Sequence, residues 1–575
     1  MSASAVSIVL TDKGNSCDAA VRQTAGRLAE SFSMKSMPTV NTQDSFLRIP
    51  PFPGAQLRRF SVAQSMTAEL GQVADEIRRF RVGGTFWASQ PDLPSKFVLA
   101  IGEAAAEAAF GLTKELPIVL WDLDGKSIKQ DARHVIVTGV CDPWHMLASA
   151  SALVTDANVE LCLIASLLGV PRFVVDEQSG RLQPDDGDVL DLLADAIGQF
   201  ENPFTGESMS PLDAVRLCGF WRDLIDSNRG LGAGYGIAFW KQAQVGPLLW
   251  AGTNPFRFAR KVEELPAGRA AAVWRSKTSP EIIAGLEAEG APIVEVEDGF
   301  LRSRGLGADC VPPLSITVDR QGAHFDPSWP SELEDLLEHG EFDEQLLARA
   351  SELRSLIVDA GIGKYEQGGA TLHRRVADRR HVLVPGQVED DRAVQAGGCG
   401  LTSNLELLKR VRAEAPDAYI LYKPHPDVLA GHRRGSIPHQ ACLAFADEVV
   451  GELPIASLIA LADEVHVNTS LAGFEALLRG KQVATYGVPF YAGWGLTRDF
   501  GPVPARRAAK RTIDELVAAT LLIYPRYLDP VTGLPCPAEV VVARLCNSEV
   551  RDPGLLVGMR RLQGKFMRRL RSLVQ

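Results

Sequence analysis

At 575 residues the chain exceeds one ordinary hydrophobic core, and ~150 residues per domain points to three or four units. A hydrophobic content of 46% and a charged content of 23% are those of a soluble globular protein, and a formal net charge of −11 argues against general affinity for nucleic acid. No apolar run approaches the ~20 residues that span a bilayer, no secretory signal is expected from the opening Met1-Ser2-Ala3-Ser4, and nine scattered cysteines without a C-x-x-C pair point to reduced thiols in a cytoplasm.

Residues 1 to about 80 are weakly patterned, with a Pro-rich stretch at Ile49-Pro50-Pro51-Phe52-Pro53. From Lys96 onward apolar runs alternate with helix-length segments: Lys96 to Ile101, Pro117 to Trp121, His134 to Val137, Leu153 to Thr155 and Pro171 to Val175. Strands separated in this way imply parallel β-α-β units. The Gly-rich run Gly230 to Gly236 reads as a flexible connector, after which Pro247 to Gly252 and Ala270 to Trp274 read as strands. Ser279 caps a helix through Ala288 that Gly290 ends, and the strand Pro292 to Val296 follows. A helical middle, about 330 to 375, separates this series from a second one that begins at His381 and continues past Ala484. The fold class expected is α/β, with two doubly wound, Rossmann-like halves and a crevice between them.

An internal repeat lies across these series. Pro143 to Gly169 aligns without gaps on Pro454 to Gly480, and Pro203-Phe204-Thr205-Gly206 echoes Pro530-Val531-Thr532-Gly533 in the same order. The second copy ends its strand on Asn468-Thr469-Ser470, and Asn158-Val159 stands in the first where Thr469-Ser470 stands in the second, so the first unit is expected to keep a fold fragment without the chemistry.

Chemistry is expected where strands run out, because open α/β sheets bind ligands beyond the carboxyl ends of their strands. Ile293 to Val296 leads into Glu297-Asp298-Gly299, His381 to Pro385 into Gln387-Val388-Glu389-Asp390-Asp391, Tyr419 to Tyr422 into Lys423-Pro424-His425-Pro426, and Glu464 to Val467 into Asn468-Thr469-Ser470. Thr469 and Ser470 open a helix, Leu471 to Arg479. Hydroxyls there suit a phosphate on the helix N-terminus and equally suit ordinary capping. Glu475, one turn on, could meet a ribose hydroxyl or face solvent. His425, held between two prolines beside Lys423 and Asp427, could donate to phosphate oxygens of a leaving nucleotide. The carboxylate pairs Glu297-Asp298 and Asp390-Asp391 suit glycosyl transfer, which needs a group to attack or deprotonate near an anomeric carbon. Arg302 and Arg304 could bind an anionic sugar or lipid, or face water. Gly397-Gly398-Cys399-Gly400 is expected to be a mobile loop over the crevice. Residues Leu555 to Gln575 carry six basic and no acidic residues around an apolar stripe, a pattern that fits either an anionic membrane surface or a helix docked on its own protein.

Four stretches, Val296-Glu297-Asp298-Gly299-Phe300-Leu301-Arg302-Ser303, Pro385-Gly386-Gln387-Val388-Glu389-Asp390-Asp391, Tyr422-Lys423-Pro424-His425-Pro426-Asp427 and Tyr486-Gly487-Val488-Pro489-Phe490-Tyr491-Ala492-Gly493-Trp494-Gly495, resemble the capsule-polysaccharide β-Kdo transferases of Gram-negative bacteria. The resemblance covers roughly residues 235 to 545. It implies two Rossmann-like domains in a GT-B arrangement, preceded by a truncated Rossmann-like repeat, and a retaining transfer of Kdo from CMP-Kdo to a lipid-linked Kdo or glycan acceptor. Carried over by residue, Asp391 is the nucleophile, with Asp390 beside it as the alternative. Glu297 and Asp298 serve as acid/base and acceptor-orienting groups. His425, Thr469 and Ser470 hold the CMP phosphate, with Gln387, Lys423, Pro426, Asn468 and Glu475 completing the donor site and Arg302 and Ser303 the acceptor site.

The domains implied are 1–230, a degenerate transferase-like unit; 231–375, the acceptor-side domain; 376–550, the nucleotide-binding domain; and 551–575, a basic amphipathic helix. No metal and no cofactor are expected. Partners expected are the donor, the acceptor, the inner-membrane surface through the C-terminal helix, and other capsule assembly proteins, with no nucleic acid. The best-known members of that family carry two complete transferase modules in tandem. Here the first unit lacks the chemical tips, which favours a single linkage type and leaves it a role in acceptor binding or assembly. Two other readings are a transferase of this architecture using another activated sugar, and a non-catalytic partner in polysaccharide assembly or export.

Overall fold

The computed structural model describes residues 45–55, 60, 63–65, 69–122, 134–156, 158–176, 181–301, 312–362, 374, 376, 378–431, 433–451 and 453–547. Arg302, Ser303 and the C-terminal basic segment, singled out in the sequence, lie outside them. The chain divides into two compact units, one formed mainly by residues up to Asp223 and the other mainly by residues from Leu224.

The first unit contains β1 (Ala63–Ser65), β2 (Phe97–Ile101), β3 (Ile118–Asp122), β4 (His134–Thr138), β5 (Ala150–Thr155), β6 (Arg172–Val175), β7 (Leu182–Pro184), β8 (Gly198–Glu201) and β9 (Ser208–Met209). A six-stranded sheet has the order β4-β3-β2-β5-β6-β7, parallel except for β7, and a three-stranded sheet has the order β1-β8-β9. The strands of the larger sheet's centre are unbroken apolar runs because helices cover both faces: β2 and β3 are buried along their full length.

The second unit contains β10 (Leu231–Tyr235), β11 (Ala270–Val273), β12 (Ile293–Asp298), β13 (Ser315–Asp319), β14 (His381–Pro385), β15 (Tyr419–Lys423), β16 (Glu448–Val449), β17 (Glu464–Val467), β18 (Gln482–Thr485), β19 (Arg498–Asp499), β20 (Pro525–Leu528) and β21 (Pro535–Cys536). They form two six-stranded sheets, β10-β11-β12-β13-β20-β21 and β16-β15-β14-β17-β18-β19, the latter parallel throughout. The α/β, Rossmann-like architecture expected from the sequence is the one observed, and the helical middle is present as Glu332–His339 and Glu344–Asp359.

The repeat is larger than the fragment expected. Number the strands of each parallel sheet in chain order, starting from β2 and from β14: both then run 3-2-1-4-5-6. The aligned segment is the same helix-strand-helix unit in each, ending on Gly169 and Gly480 with φ of 70° and 69°. Val170 and Lys481 each donate back to the carbonyl five residues earlier, at 2.8 and 3.0 Å, closing the same helix terminus. The second echo is also structural. Asn202 accepts from the amides of Phe204 and Thr205, Asp529 accepts from Val531 and Thr532, and the flanking hairpins pair Phe200 with Met209 and Tyr527 with Cys536. The sheet β1-β8-β9 thus matches β13-β20-β21. Among its described residues, the first unit holds a counterpart of the whole sheet β16-β15-β14-β17-β18-β19 and of the strands β13-β20-β21, and none of β10, β11 and β12.

Four local expectations differ. Pro247 to Gly252 is not a strand: it ends the helix Phe239–Leu248, where Pro247 sits in the last turn, and the strand is the Gly-rich run before it. Glycines serve there because a Cβ at Gly234 would strike Phe256 and Ile237 at 2.8 and 2.9 Å. The Gly397 to Gly400 segment is a packed junction, since a Cβ at Gly397 would meet the Phe325 carbonyl at 2.9 Å and the Thr469 side chain at 3.1 Å. Finally, residues from 525 onward, read as the end of the second lobe, return to the first. There β20 pairs with β13, and the helix Ala538–Cys546 follows, with Glu539 salt-bridged to Arg349 at 2.7 Å.

Candidate functional site

Strand β14 lies between β15 and β17, so the chain leaves it toward one side of the sheet and β17 toward the other. This switch point is where a doubly wound sheet opens a crevice. A cleft there is lined by Pro385, Gly386, Lys423, Pro424, His425, Pro426, Ile455, Ser470, Ala472 and Glu475. Three of the four strand tips read from the sequence therefore meet in one place.

Each polar lining residue has a local reason for its position. The Lys423 ammonium is buried and donates to the carbonyls of Gly451 and Leu453 at 3.2 and 2.5 Å, which places a fixed cation in the cleft wall. His425 caps the short helix Pro426–Leu429: its Nδ1 accepts from the Asp427 amide at 3.1 Å, so the neutral ring carries its proton on Nε2. Pro426 at the first helical position has no N–H to leave unpaired. Ser470 caps the helix Leu471–Leu478 by accepting from Ala472 at 3.2 Å, and Glu475 is buried one turn further in.

Gln387, Asn468 and Thr469 form the seam behind this cleft. The Gln387 side chain grips Thr469 at both ends, donating to its hydroxyl at 2.9 Å and accepting from its amide at 2.9 Å. The Asn468 amide donates to the Leu401 carbonyl at 2.6 Å. These contacts fix the N-terminus of the helix that starts at Leu471. Tyr491 braces the same turn by donating its hydroxyl to the Ser470 carbonyl, with Gly473 leaving room for the ring. Tyr491 of the Tyr486 to Gly495 motif therefore supports the helix end, and none of the motif's residues lines the cleft. Its Phe490 packs against Phe300, centroids 4.6 Å apart, joining the Glu-Asp-Gly stretch to this motif within an aromatic cluster that includes His324 and Tyr524.

The fourth tip ends β12 in the other sheet. Glu297 receives Arg392 Nη1 at 3.0 Å, and the same nitrogen lies 3.5 Å from Glu295, which also binds Arg275 at 2.6 Å. Asp298 pairs with Lys241 at 2.8 Å, and the Lys241 ammonium sits 3.7 Å from the Trp274 ring centroid. Three carboxylates and three cations make a balanced cluster in which Arg392, from the strand-tip loop of β14, reaches the β12 side. Burial, and then the neighbouring Asp298 and Glu295, push the Glu297 carboxyl up to about 7 against the opposing pull of Arg392 and Lys241. A carboxyl near 7 can both give and take a proton at physiological pH.

Asp391 caps the helix Arg392–Gly397, its Oδ1 accepting from the Ala393 amide at 3.1 Å, and its carboxylate is exposed. Asp390 is exposed too and meets Arg433 at 3.3 Å. Neither lines the cleft with His425, and Glu297 and Asp298 stand in their own cluster. Lys241 and Arg392 were not singled out in the sequence. Their partners lie 57 and 95 residues away, and no local spacing signals them.

Residues 270–527 match the family model described as capsule polysaccharide biosynthesis protein, a span that begins with β11 and ends inside β20. Over this span the chain belongs to that family. A capsule polysaccharide modification protein LipA of Neisseria meningitidis serogroup A is 37% identical over 379 residues, 64% of this chain and 53% of the relative. A lipopolysaccharide-processing protein LpsZ of Rhizobium meliloti is 45% identical over 253 residues, 43% of this chain and 57% of the relative. The chain thus spans about half the length of the curated relatives it matches. Among solved structures, the Thermosulfurimonas dismutans KpsC β-Kdo 2,7 transferase shares 34% identity, with 56% of this chain and 99% of that chain covered and a TM-score of 0.45. No helix among the described residues is long and apolar enough to cross a membrane.

Proposed function

We propose that this family member is a glycosyltransferase of capsule or surface polysaccharide assembly that moves Kdo from CMP-Kdo to a lipid-linked glycan with retention of configuration. The observation that supports it best is the convergence of Lys423, His425, Ser470 and Glu475 on one cleft at the switch point of a parallel sheet. A nucleotide's phosphate is met there by the Lys423 charge, by Nε2–H of His425 and by the N-terminus of the helix Leu471–Leu478, while Glu475 offers an acceptor to a ribose hydroxyl. The family match supports a role in capsule polysaccharide biosynthesis, and the resemblance of the four sequence motifs to β-Kdo transferases supports the sugar and the donor.

In this reading an oxygen of Asp391 forms a bond to the anomeric carbon of Kdo as the bond to the CMP phosphate breaks and its electron pair leaves with CMP. The acceptor hydroxyl then attacks the same carbon, passes its proton to the Glu297 carboxylate, and the Asp391 ester bond breaks to restore the carboxylate. Asp298, held by Lys241, orients the acceptor. The two tips come together when the donor is bound between the sheets, and Arg392 already links the Asp391 loop to Glu297. The leaving phosphate is neutralised by His425 and the helix end, so transfer proceeds without a metal ion.

The test is transfer from CMP-Kdo to a Kdo-primed glycolipid, followed by mass spectrometry. Wild-type protein is expected to extend the acceptor in the presence of EDTA, and Asp391→Ala is expected to abolish extension while its melting temperature stays within a few degrees. Extension by a UDP-linked donor and not by CMP-Kdo would overturn the donor assignment.

A further inference from the structure

Resting on the proposed donor, we infer that Arg392 is the residue that reads the carboxylate of an acidic sugar, and that its salt bridge to Glu297 holds it ready for that role. Three observations carry this. Arg392 follows Asp391 directly, at the first position of the helix Arg392–Gly397. In an α-keto acid sugar the carboxylate is bonded to the anomeric carbon, so a cation that recognises it must stand next to the group that attacks that carbon.

The second observation is how little of the guanidinium is used. Both of its carboxylate contacts are made by Nη1, at 3.0 Å to Glu297 and 3.5 Å to Glu295, and among the described residues no hydrogen bond engages Nε or Nη2. The side chain is 31% exposed, and its guanidinium carbon lies 4.9 Å from the Phe325 ring centroid, which holds the plane without consuming its donors. A planar fork with open donors is matched by the two oxygens of a carboxylate.

Third, among the described residues the other two cations of the cluster are each held by a carboxylate of their own. Arg275 is committed to Glu295 and Lys241 to Asp298. A donor anion arriving beside Asp391 therefore competes with Glu297 for Arg392. Arg392 also spans from the loop after β14 to the end of β12, so the same residue senses the donor and touches the acceptor-side carboxylates. In the ligand-free protein the fork is held on Glu297. With donor bound it turns its open edge to the sugar carboxylate.

The experiment is calorimetric titration of the full chain with CMP and with CMP-Kdo. Wild-type protein is expected to bind CMP-Kdo more tightly than CMP. Arg392→Ala should leave CMP affinity within about twofold and cut the advantage of CMP-Kdo by roughly 10- to 100-fold, the range of a charge-assisted bidentate contact. Arg392→Lys should restore only part of it, because an ammonium lacks the fork. An Arg392→Ala protein that keeps the full CMP-Kdo advantage overturns this inference and leaves the proposed function standing. Loss of CMP affinity to the same degree as CMP-Kdo affinity also overturns it, by making Arg392 a general support of the site. A wild-type protein with no preference for CMP-Kdo over CMP removes the donor reading itself.

Discussion

Replacing Glu297 by Gln separates the energetic and chemical roles of the β12 tip. The folded protein holds the Glu297 proton up to about 7, against an ordinary value of 4.5, chiefly because the carboxylate is buried. The folded state therefore binds this proton more tightly than the unfolded chain, and the stability it gives is complete below about pH 4.5. It is lost progressively as pH rises through 7. At ~1.4 kcal/mol per tenfold in proton affinity, the gap bounds the cost of the ionised form at roughly 3 kcal/mol. Glutamine carries no such cost and still accepts from Arg392, so Glu297→Gln is expected to be more stable than wild type by about 1–3 kcal/mol at pH 8.5 and nearly equal at about pH 4. For a unit of this size that is a rise of several degrees in the relevant thermal transition. Kdo transfer by the variant should fall by about 100-fold or more, and the wild-type rate should rise with pH through about 7. Calorimetric melting at the two pH values, with initial rates measured in parallel, checks both. A variant destabilised equally at about pH 4 and pH 8.5 would refute the argument from burial.

Other expected outcomes follow from single contacts. Lys241→Met leaves Asp298 without its 2.8 Å partner; because that carboxylate is still partly exposed, the loss should be about 1–3 kcal/mol by denaturant unfolding, with a raised KM for acceptor. Gly473→Ala places a methyl group against the Tyr491 hydroxyl, so the brace on the Ser470 carbonyl must shift. Titration with CMP should show several-fold weaker binding while the helix content by circular dichroism is unchanged. Ser470→Ala removes a cap worth about 1 kcal/mol and, on the proposed function, a phosphate donor with it, so it should weaken CMP binding while lowering the melting temperature only slightly.

Much of the second unit was legible because its strands are short apolar runs punctuated by Pro and Gly. His381 to Pro385 and Glu464 to Val467 were read to the residue, and the helix capped by Ser279 ends where Gly290 adopts a φ of 66°. The errors have physical causes. Gly230 to Gly236 looks like a connector because local propensity cannot show that Phe256, Ile237 and Phe258 press on Gly234 and demand its missing side chain. The segment from 525 onward reads as part of the wrong lobe, since which sheet a strand joins is decided by partners such as Ser315, some two hundred residues earlier. The cleft could be anticipated because a ligand site at strand ends is a rule of topology. The Arg392 and Lys241 ion pairs could not, because a single basic residue carries no signal until the fold brings its carboxylate to it.

The most direct test of the account is peptide mass spectrometry of the protein quenched rapidly after mixing with CMP-Kdo in the absence of acceptor. The account predicts release of CMP together with one Kdo residue attached to the peptide that contains Asp391, and neither in Asp391→Ala. Kdo attached to a different carboxylate, or full acceptor extension by the Asp391→Ala protein, would contradict it.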